Sequence, residues 1–573
     1  MAERGGRPPT GRGGGRDDRG ADRRRDGGRD DRGADRRRDG ARRRAAGPAG
    51  AADRGPRTRA RVDPARQAAW DVLRAVAGSD AYANLVLPGL LAERGLSGRD
   101  AGFATELAYG TLRLRGRYDA VLAMCASRGL NEMDPGVLDA LRLGAHQVLG
   151  MRVAQHAAVS ETVDLVRANV GTGAASFANA VMRQVTRADA AEWDRRMAER
   201  TSDPVELLGQ RLAHPAWIVR ALRESLALDP GTPSGDLDAE LVALLEADNA
   251  APAVTLVARP GLVEERELGD AQDDGLLEPA GLAPTAWRLT GGSPDALGAV
   301  RSGRMGVQDE GSQLVALALA GVALRDAGEA GDGGRAGGDS GAGGGGREGD
   351  GGAADGDDVS AVGSDSTWAD LCAGPGGKSA LLGALLAERT DARAAAGELV
   401  RGSVLVAGEV QPHRVGLVER SVKALPRELV DVVQWDGRTV GRDRAGEFDR
   451  VLVDAPCTGL GALRRRPEAR WRRTPADLRG LTLLQRELLD SAIDATRVGG
   501  VVGYVTCSPH VAETRAVVDA VTRSRSDVEV LDAAAAVNAV VGSPVAGLAG
   551  PYAQLWPHRH GTDAMFLALL RRV

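Results

Sequence analysis

From Thr367 to the C-terminus, short apolar runs alternate with amphipathic stretches of helical spacing. TWADLC, SVLVAGEV, DVVQWD, FDRVLVDAP, VVGYVTCS and DAMFLALLRRV read as strands. GKSALLGALLAE, PHRVGLVERSVKAL, LTLLQRELLDSAIDAT and ETRAVVDAVTR read as the helices between or after them. A chain with this alternation has few choices. Its strands pair in parallel through helical crossovers, which predicts a mainly parallel, doubly wound α/β sheet. In such a sheet ligands bind beyond the carboxyl ends of the strands, so the residues at those ends are the candidates for function.

The first strand ends in LCAGPGGKSA, residues 371–380. Gly374, Gly376 and Gly377 let the backbone come close to a ligand, and the N-terminus of the following helix offers free N–H groups to an anion. A P-loop is excluded, because Cys372 stands where its first glycine belongs. The dinucleotide pattern GxGxxG fails at Ser379. On its own the loop marks a ligand site or a merely tight turn. Glu409 ends the next strand, where a ribose diol is commonly gripped, or where a surface glutamate simply sits. Asp436 follows at the next strand end, as a possible acceptor for an amino group or as a turn-forming Asp-Gly. Two further strands run into cysteines: Cys457 in DAPCTG, three residues after Asp454, and Cys507 in VTCSPH. Structural thiols usually sit inside elements rather than at successive strand edges, so the pair points to catalysis. Six arginines, Arg464, Arg465, Arg466, Arg470, Arg472 and Arg473, follow Cys457. They suit either phosphate contacts or a solvated loop. The chain has only two lysines, Lys378 and Lys423. Under such an arginine bias, Lys378 beside the glycine loop suggests that a compact ammonium is wanted there.

The remainder of the chain divides into segments. Residues 1–62 repeat RDDRGADRRRDG and hold 20 Arg against 9 Asp and one Glu. Their net charge of +10 leaves −15 for the rest of a chain of formal charge −5. Such a tail buries almost nothing and is expected to be disordered, as a solvated polyampholyte or an RNA tether. Residues 63–190 read as all-helical, opening on Asp63 as N-cap with Pro64 in the first turn. Cys125 falls on an apolar face there. Residues 205–310 read as a small mixed α/β segment, with HPAWIVRAL helical and AVTLVARP a strand. Residues 311–573 then hold the doubly wound sheet, interrupted by a Gly/Asp-rich insertion at 325–366.

Cysteine usage excludes a disulfide scaffold. The four cysteines, Cys125, Cys372, Cys457 and Cys507, have neither CxxC nor zinc-finger spacing, so no metal site is expected. Met1–Thr10 lacks the apolar core of a signal peptide, and no apolar run is long enough to span a bilayer. The expectation is a cytoplasmic protein.

DAPCTG and TCS behind CAGPGGKS resemble the RNA 5-methylcytosine methyltransferases of the NOL1/NOP2/Sun family, and HPAWIV, VQDEGSQL and LWPHRHGTDAMFLALL match the same family. The helical segment, ending in FANAVMRQV, is similar to the antitermination factor NusB. The resemblance implies a NusB-like RNA-binding domain, a small linking domain and a Rossmann-like methyltransferase domain. It implies S-adenosyl-L-methionine as cofactor and a single-stranded or loop cytosine of 16S rRNA as substrate, in a monomeric enzyme. Cys372, Ala373, Gly374, Pro375, Gly376, Gly377 and Lys378 would form the cofactor loop. Glu409 would hold the ribose, Asp436 would contact adenine, and Asp454 would lie near the methyl donor and the base. Cys507 matches the family nucleophile, and Cys457 the cysteine associated with product release. Lys378 is a candidate for the positive charge that favours the thiolate. Glu409 stands where the family usually has Asp, CAGPGG where it has CAAPGG, and Thr514 where it has Asn. The competing reading is a non-catalytic NusB-like RNA-binding factor in antitermination or ribosome assembly, which would need neither thiol.

Overall fold

The computed structural model describes residues 62–79, 81–233, 235–325, 365–398 and 402–573. The arginine-rich tail up to residue 61 lies outside them, as does the interior of the Gly/Asp-rich insertion. At the edges of that insertion, the Arg325 N–H donates to the Gly499 carbonyl at 3.1 Å, and Asp365 pairs with Arg450 at 2.7 Å. Both flanks are therefore fastened to the large sheet.

Seven helices form the N-terminal bundle: α1 Pro64–Gly78, α2 Ala83–Glu93, α3 Gly98–Arg113, α4 Arg115–Cys125, α5 Pro135–Leu149, α6 Gln155–Asn169 and α7 Thr172–Val185. Asp63 caps α1 by accepting from the Arg66 N–H at 2.9 Å, with Pro64 at the first position. Aliphatic residues spaced one helical turn apart, such as Ala69, Val72, Leu73 and Val76, face a shared core. Cys125 is the last residue of α4, half-buried against that core. Burial pushes its thiol up to about 11.

A four-stranded antiparallel sheet follows, built from β1 Thr255–Ala258, β2 Leu277–Pro279, β3 Ala286–Leu289 and β4 Met305–Val307 in the order β2-β3-β1-β4. The large sheet comprises β5 Thr367–Asp370, β6 Val404–Gly408, β7 Val430–Val433, β8 Phe448–Asp454, β9 Thr496–Thr506, β10 Val528–Leu531, β11 Ala553–Gln554 and β12 Phe566–Arg572. Its order is β10-β12-β9-β8-β5-β6-β7, with β11 paired beside β12. The pairs from β7 to β9 are parallel, and β12 runs antiparallel to β9, β10 and β11. The chain order reverses between β5 and its two neighbours, β6 and β8, which makes this the topological switch point where ligands bind. The sequence reading omits β10 and β11. The two residues of β11 are too few for a period-two signal, and β10 is nowhere fully buried.

The bundle is joined to the large sheet by the loop after β8. Arg470 is fully buried. Its guanidinium donates to the carbonyls of Arg113 (2.8 Å), Ala213 (3.2 Å) and Asp248 (2.8 Å) and to Asn249 Oδ1 (2.7 Å). Trp471 lies against Gly116 of α4, where a Cβ would come within 2.5 Å of the indole. Burial pushes the nearby Asp248 carboxyl up to about 7 against the pull of Arg470. Replacing Arg470 by alanine leaves four buried acceptors unpaired. We expect a stability loss of about 3–5 kcal/mol, read as a lower midpoint in denaturant unfolding. A change under about 1 kcal/mol would contradict this account of the junction.

Candidate active site

The glycine loop follows directly from β5. Gly376 has φ +108°, and a Cβ there would meet Ser421 Cβ at 2.6 Å, so only glycine fits. The Ala373 N–H donates to the Gly408 carbonyl at 2.8 Å, tying the loop to the end of β6. Ser421 Oγ donates to the Pro375 carbonyl at 2.8 Å. Beneath the loop lies Asp370, which the sequence reading missed. It accepts from Ser379 Oγ at 2.7 Å and from the Cys372 N–H at 3.2 Å, and burial raises its carboxyl to about 7. Burial and the neighbouring carboxylates push the Cys372 thiol well up, so what this residue offers a ligand is backbone rather than thiolate.

Glu409 and Asp436 stand beyond β6 and β7. Glu409 is buried. It accepts from the Gln411 N–H at 2.9 Å and pairs with Arg414 at 3.2 Å, and Arg414 also donates to the Gly374 carbonyl. The loop sits so close that a Cβ on Gly374 would reach Glu409 Oε2 at 2.2 Å. Asp436 is half-buried and gripped by Arg438 at 2.6 Å, which holds its carboxyl below the usual range. Between them in sequence, Trp435 packs on Gly408, and its buried Nε1 has no hydrogen-bond partner among the described residues.

The two cysteines meet because β8 and β9 are parallel neighbours in register. Asp454 is opposite Val505, and the Ala455 N–H donates to the Val505 carbonyl at 2.9 Å. Three residues beyond Asp454 and two beyond Val505, Cys457 Sγ and Cys507 Sγ lie 3.5 Å apart. Lys378, from the first turn of the helix Gly377–Ala395, donates to Asp454 Oδ2 at 2.7 Å. Burial works against the ammonium, but Asp454 outweighs it and holds Lys378 above its ordinary value.

This arrangement makes the two sulfurs unequal. Cys507 is pulled below the usual thiol range, first by the hydrogen bond from Cys457 and then by the charges of Lys378 and Arg466, against burial and Asp454. Cys457 is pushed well up by donating that bond, by burial, and by its closeness to Cys507 and Glu513. Cys507 is therefore the sulfur that carries negative charge more readily, and Cys457 the one that keeps its proton.

Glu513 holds both cysteine loops, and the sequence reading assigns no role at this point. Fully buried, it accepts from the Thr458 N–H at 2.8 Å, from the Thr458 hydroxyl, from Ser508 Oγ at 2.7 Å and from Gln485 Nε2 at 3.2 Å. Thr458 follows Cys457, and Ser508 follows Cys507. Truncating Glu513 to alanine removes the shared acceptor of four buried donors, of which only Gln485 Nε2, on the Pro456 carbonyl, and one of the mutually bonded Thr458 and Ser508 hydroxyls keep a partner. The expected cost is about 3 kcal/mol, measured by thermal or denaturant unfolding. A Glu513→Ala protein as stable as the parent would remove this role.

The arginine run corrects one expectation, because four of the six face inward. Arg464 spans Asp309 (3.0 Å) and Asp563 (2.9 Å), and Arg465 joins the same two carboxylates. Arg470 is the buried tie already described. Arg472 donates to the carbonyls of Val76 (2.8 Å) and Ala81 (2.6 Å). These guanidiniums hold the fold together, whereas Arg466 and Arg473 make no such tie among the described residues. Asp309 and Asp563 belong to VQDEGSQL and HGTDAMF, so those two motifs serve to anchor the loop that follows Cys457.

Comparison with known proteins agrees with this architecture. The family model described as 16S rRNA methyltransferase RsmB/F matches residues 360–571, and that of the NusB family matches residues 63–187. The chain is 47% identical over 523 residues to the putative methyltransferase Rv1407 of Mycobacterium tuberculosis, covering 91% of this chain and 99% of that protein. It is 26% identical over 516 residues to the probable ribosomal RNA small subunit methyltransferase B of Bacillus subtilis, covering 88% and 98% respectively. The crystal structure of PH0851 superposes with a TM-score of 0.65 at 19% identity, over 89% of this chain and 99% of that one, which shows a shared fold. A NusB-like bundle joined to a Rossmann-like sheet whose β8 and β9 end in paired cysteines, matched over nearly its whole length by such relatives, places the chain in the RsmB/F family of RNA methyltransferases.

Proposed function

We propose that the protein methylates C5 of a cytosine in a single-stranded or loop region of 16S rRNA, with Cys507 as nucleophile and Cys457 assisting release. The observation that carries this reading is the unequal sulfur pair 3.5 Å apart beside the Lys378–Asp454 ion pair. In this reading residues 63–190 form the RNA-binding domain, 205–310 a linking domain and 311–573 the catalytic domain of a monomer.

The residues present fit S-adenosylmethionine. The glycine-lined turn at a helix N-terminus suits its carboxylate, Glu409 its ribose diol and Asp436 its adenine amino group. When bound, this cofactor supplies the methyl group as a sulfonium electrophile. C5 of cytosine is too electron-poor to accept it unaided. The Cys507 thiolate adds to C6 and moves an electron pair toward C5, which becomes enamine-like and nucleophilic. Asp454 accepts from the N4 amino edge of the base and fixes its orientation, while Lys378 holds Asp454 in place and lowers the Cys507 thiol. After methylation, the C5 proton passes to solvent water as the C6–S bond breaks, the C–H pair re-forming the C5–C6 double bond and the C–S pair leaving on Cys507 as thiolate. Cys457, which keeps its proton in the resting site, stands within reach of the departing sulfur and stabilises it.

The test is methylation of unmodified small-subunit rRNA by the full-length protein with labelled S-adenosylmethionine, the product nucleotide being read by bisulfite sequencing. New 5-methylcytosine is the expected product. A methyl group on another atom or base would overturn the reading. Failure to bind S-adenosylmethionine in calorimetry would favour a non-catalytic RNA-binding factor instead.

A further inference from the structure

Tyr82 precedes α2 of the bundle and is exposed to 37%. Two guanidiniums of the loop after Cys457 lie over its ring, Arg466 at 5.2 Å and Arg472 at 5.3 Å from the centroid. Arg472 is committed to the carbonyls of Val76 and Ala81. Arg466 is exposed and makes no ion pair or side-chain hydrogen bond among the described residues. It is also close to the cysteines through a short, fixed path. The Gly461 N–H donates to the Cys507 carbonyl at 2.9 Å, and a Cβ on Gly461 would run into the Ala564 carbonyl at 2.1 Å, so the loop is pressed onto the end of β9. The Arg466 N–H donates to the Ala462 carbonyl at 2.9 Å, a single helical turn further on, or roughly 5 Å. The Arg466 charge is among those that lower the Cys507 thiol.

We propose that Arg466, backed by Tyr82, is a stacking platform for the nucleobase next to the target cytosine. This deepens the proposed function and rests on it. Chemistry at C5 and C6 requires the target base to leave its stack, and its neighbour then loses a stacking partner. A planar guanidinium held over an aromatic ring replaces that partner, as arginine planes and aromatic rings do for single-stranded RNA elsewhere. A phosphate would need only a point charge, whereas a base needs the plane, which is what arginine over tyrosine supplies. The platform comes from two segments, Tyr82 from the bundle and Arg466 from the loop after Cys457. The bundle would thus contribute directly to substrate placement.

The test uses the full-length protein and a short 16S rRNA fragment that it methylates, intact or with an abasic residue on either side of the target. In the parent, one of the two abasic positions should raise KM roughly tenfold with kcat little changed. Arg466→Lys and Tyr82→Ala should raise KM for intact RNA by a similar factor, and in both the abasic penalty should disappear. Tyr82→Phe should behave as the parent. An Arg466→Lys protein indistinguishable from the parent would reduce Arg466 to a phosphate contact and overturn the proposal. So would an abasic penalty that persists undiminished in both variants. Absence of methyl transfer to any cytosine by the parent would remove the proposed function, and this inference with it. Either of the other two failures would remove the platform alone.

Discussion

Replacing Cys507 by alanine ends methyl transfer, with a fall in rate of at least about a thousandfold. The size follows from the chemistry. Without addition at C6 there is no electron-rich C5, and no other group beside Asp454 can take over. Cys457 lies 3.5 Å away, but the bond to Cys507, burial and the charge of Glu513 push its thiol up, whereas Cys507 is pulled down. S-adenosylmethionine affinity should be unchanged, since the glycine loop, Glu409 and Asp436 are untouched, so calorimetry separates loss of the nucleophile from loss of the fold. A Cys507→Ala protein within about tenfold of the parent rate would withdraw the nucleophile assignment.

Replacing Cys457 by alanine has a different signature. Addition and methylation need only Cys507, but the departing sulfur loses its hydrogen-bond donor. RNA should therefore accumulate as a covalent adduct, visible as a shifted band on a denaturing gel that protease removes. The same variant should move the pH dependence of adduct formation. The hydrogen bond from Cys457 is the largest influence lowering Cys507. Without it the thiol titrates at higher pH, and the acid limb of the adduct-forming rate should shift in the alkaline direction. An unchanged or acid-shifted limb would show that the sulfur–sulfur contact does not tune the nucleophile.

The site's outline was legible because each strand of the large sheet announces its own end. Glu409, Asp436, Cys457 and Cys507 all close or follow apolar runs, and parallel pairing in register brings such ends to one edge of the sheet. The sequence could not show which arginines face inward. A guanidinium that spans two buried carboxylates and one that waits for a phosphate look alike in a string of letters. The partners of Arg464 lie far off in the chain, at Asp309 and Asp563. Glu513 was hidden for a related reason. It lies close to Cys507 in sequence, but its other partners, Thr458 and Gln485, become neighbours only when the chain folds. Strand β11 escaped because two residues carry no period.

The mechanism turns on a carbon–sulfur bond between C6 of the target cytosine and Cys507. The direct measurement is mass spectrometry of the protein trapped on an RNA whose target carries fluorine at C5, where no proton can be removed and the adduct cannot eliminate. A methylated nucleotide attached to the peptide that contains Cys507 is the expected product. An adduct on the Cys457 peptide, or no adduct from a protein that still methylates ordinary RNA at C5, would contradict it.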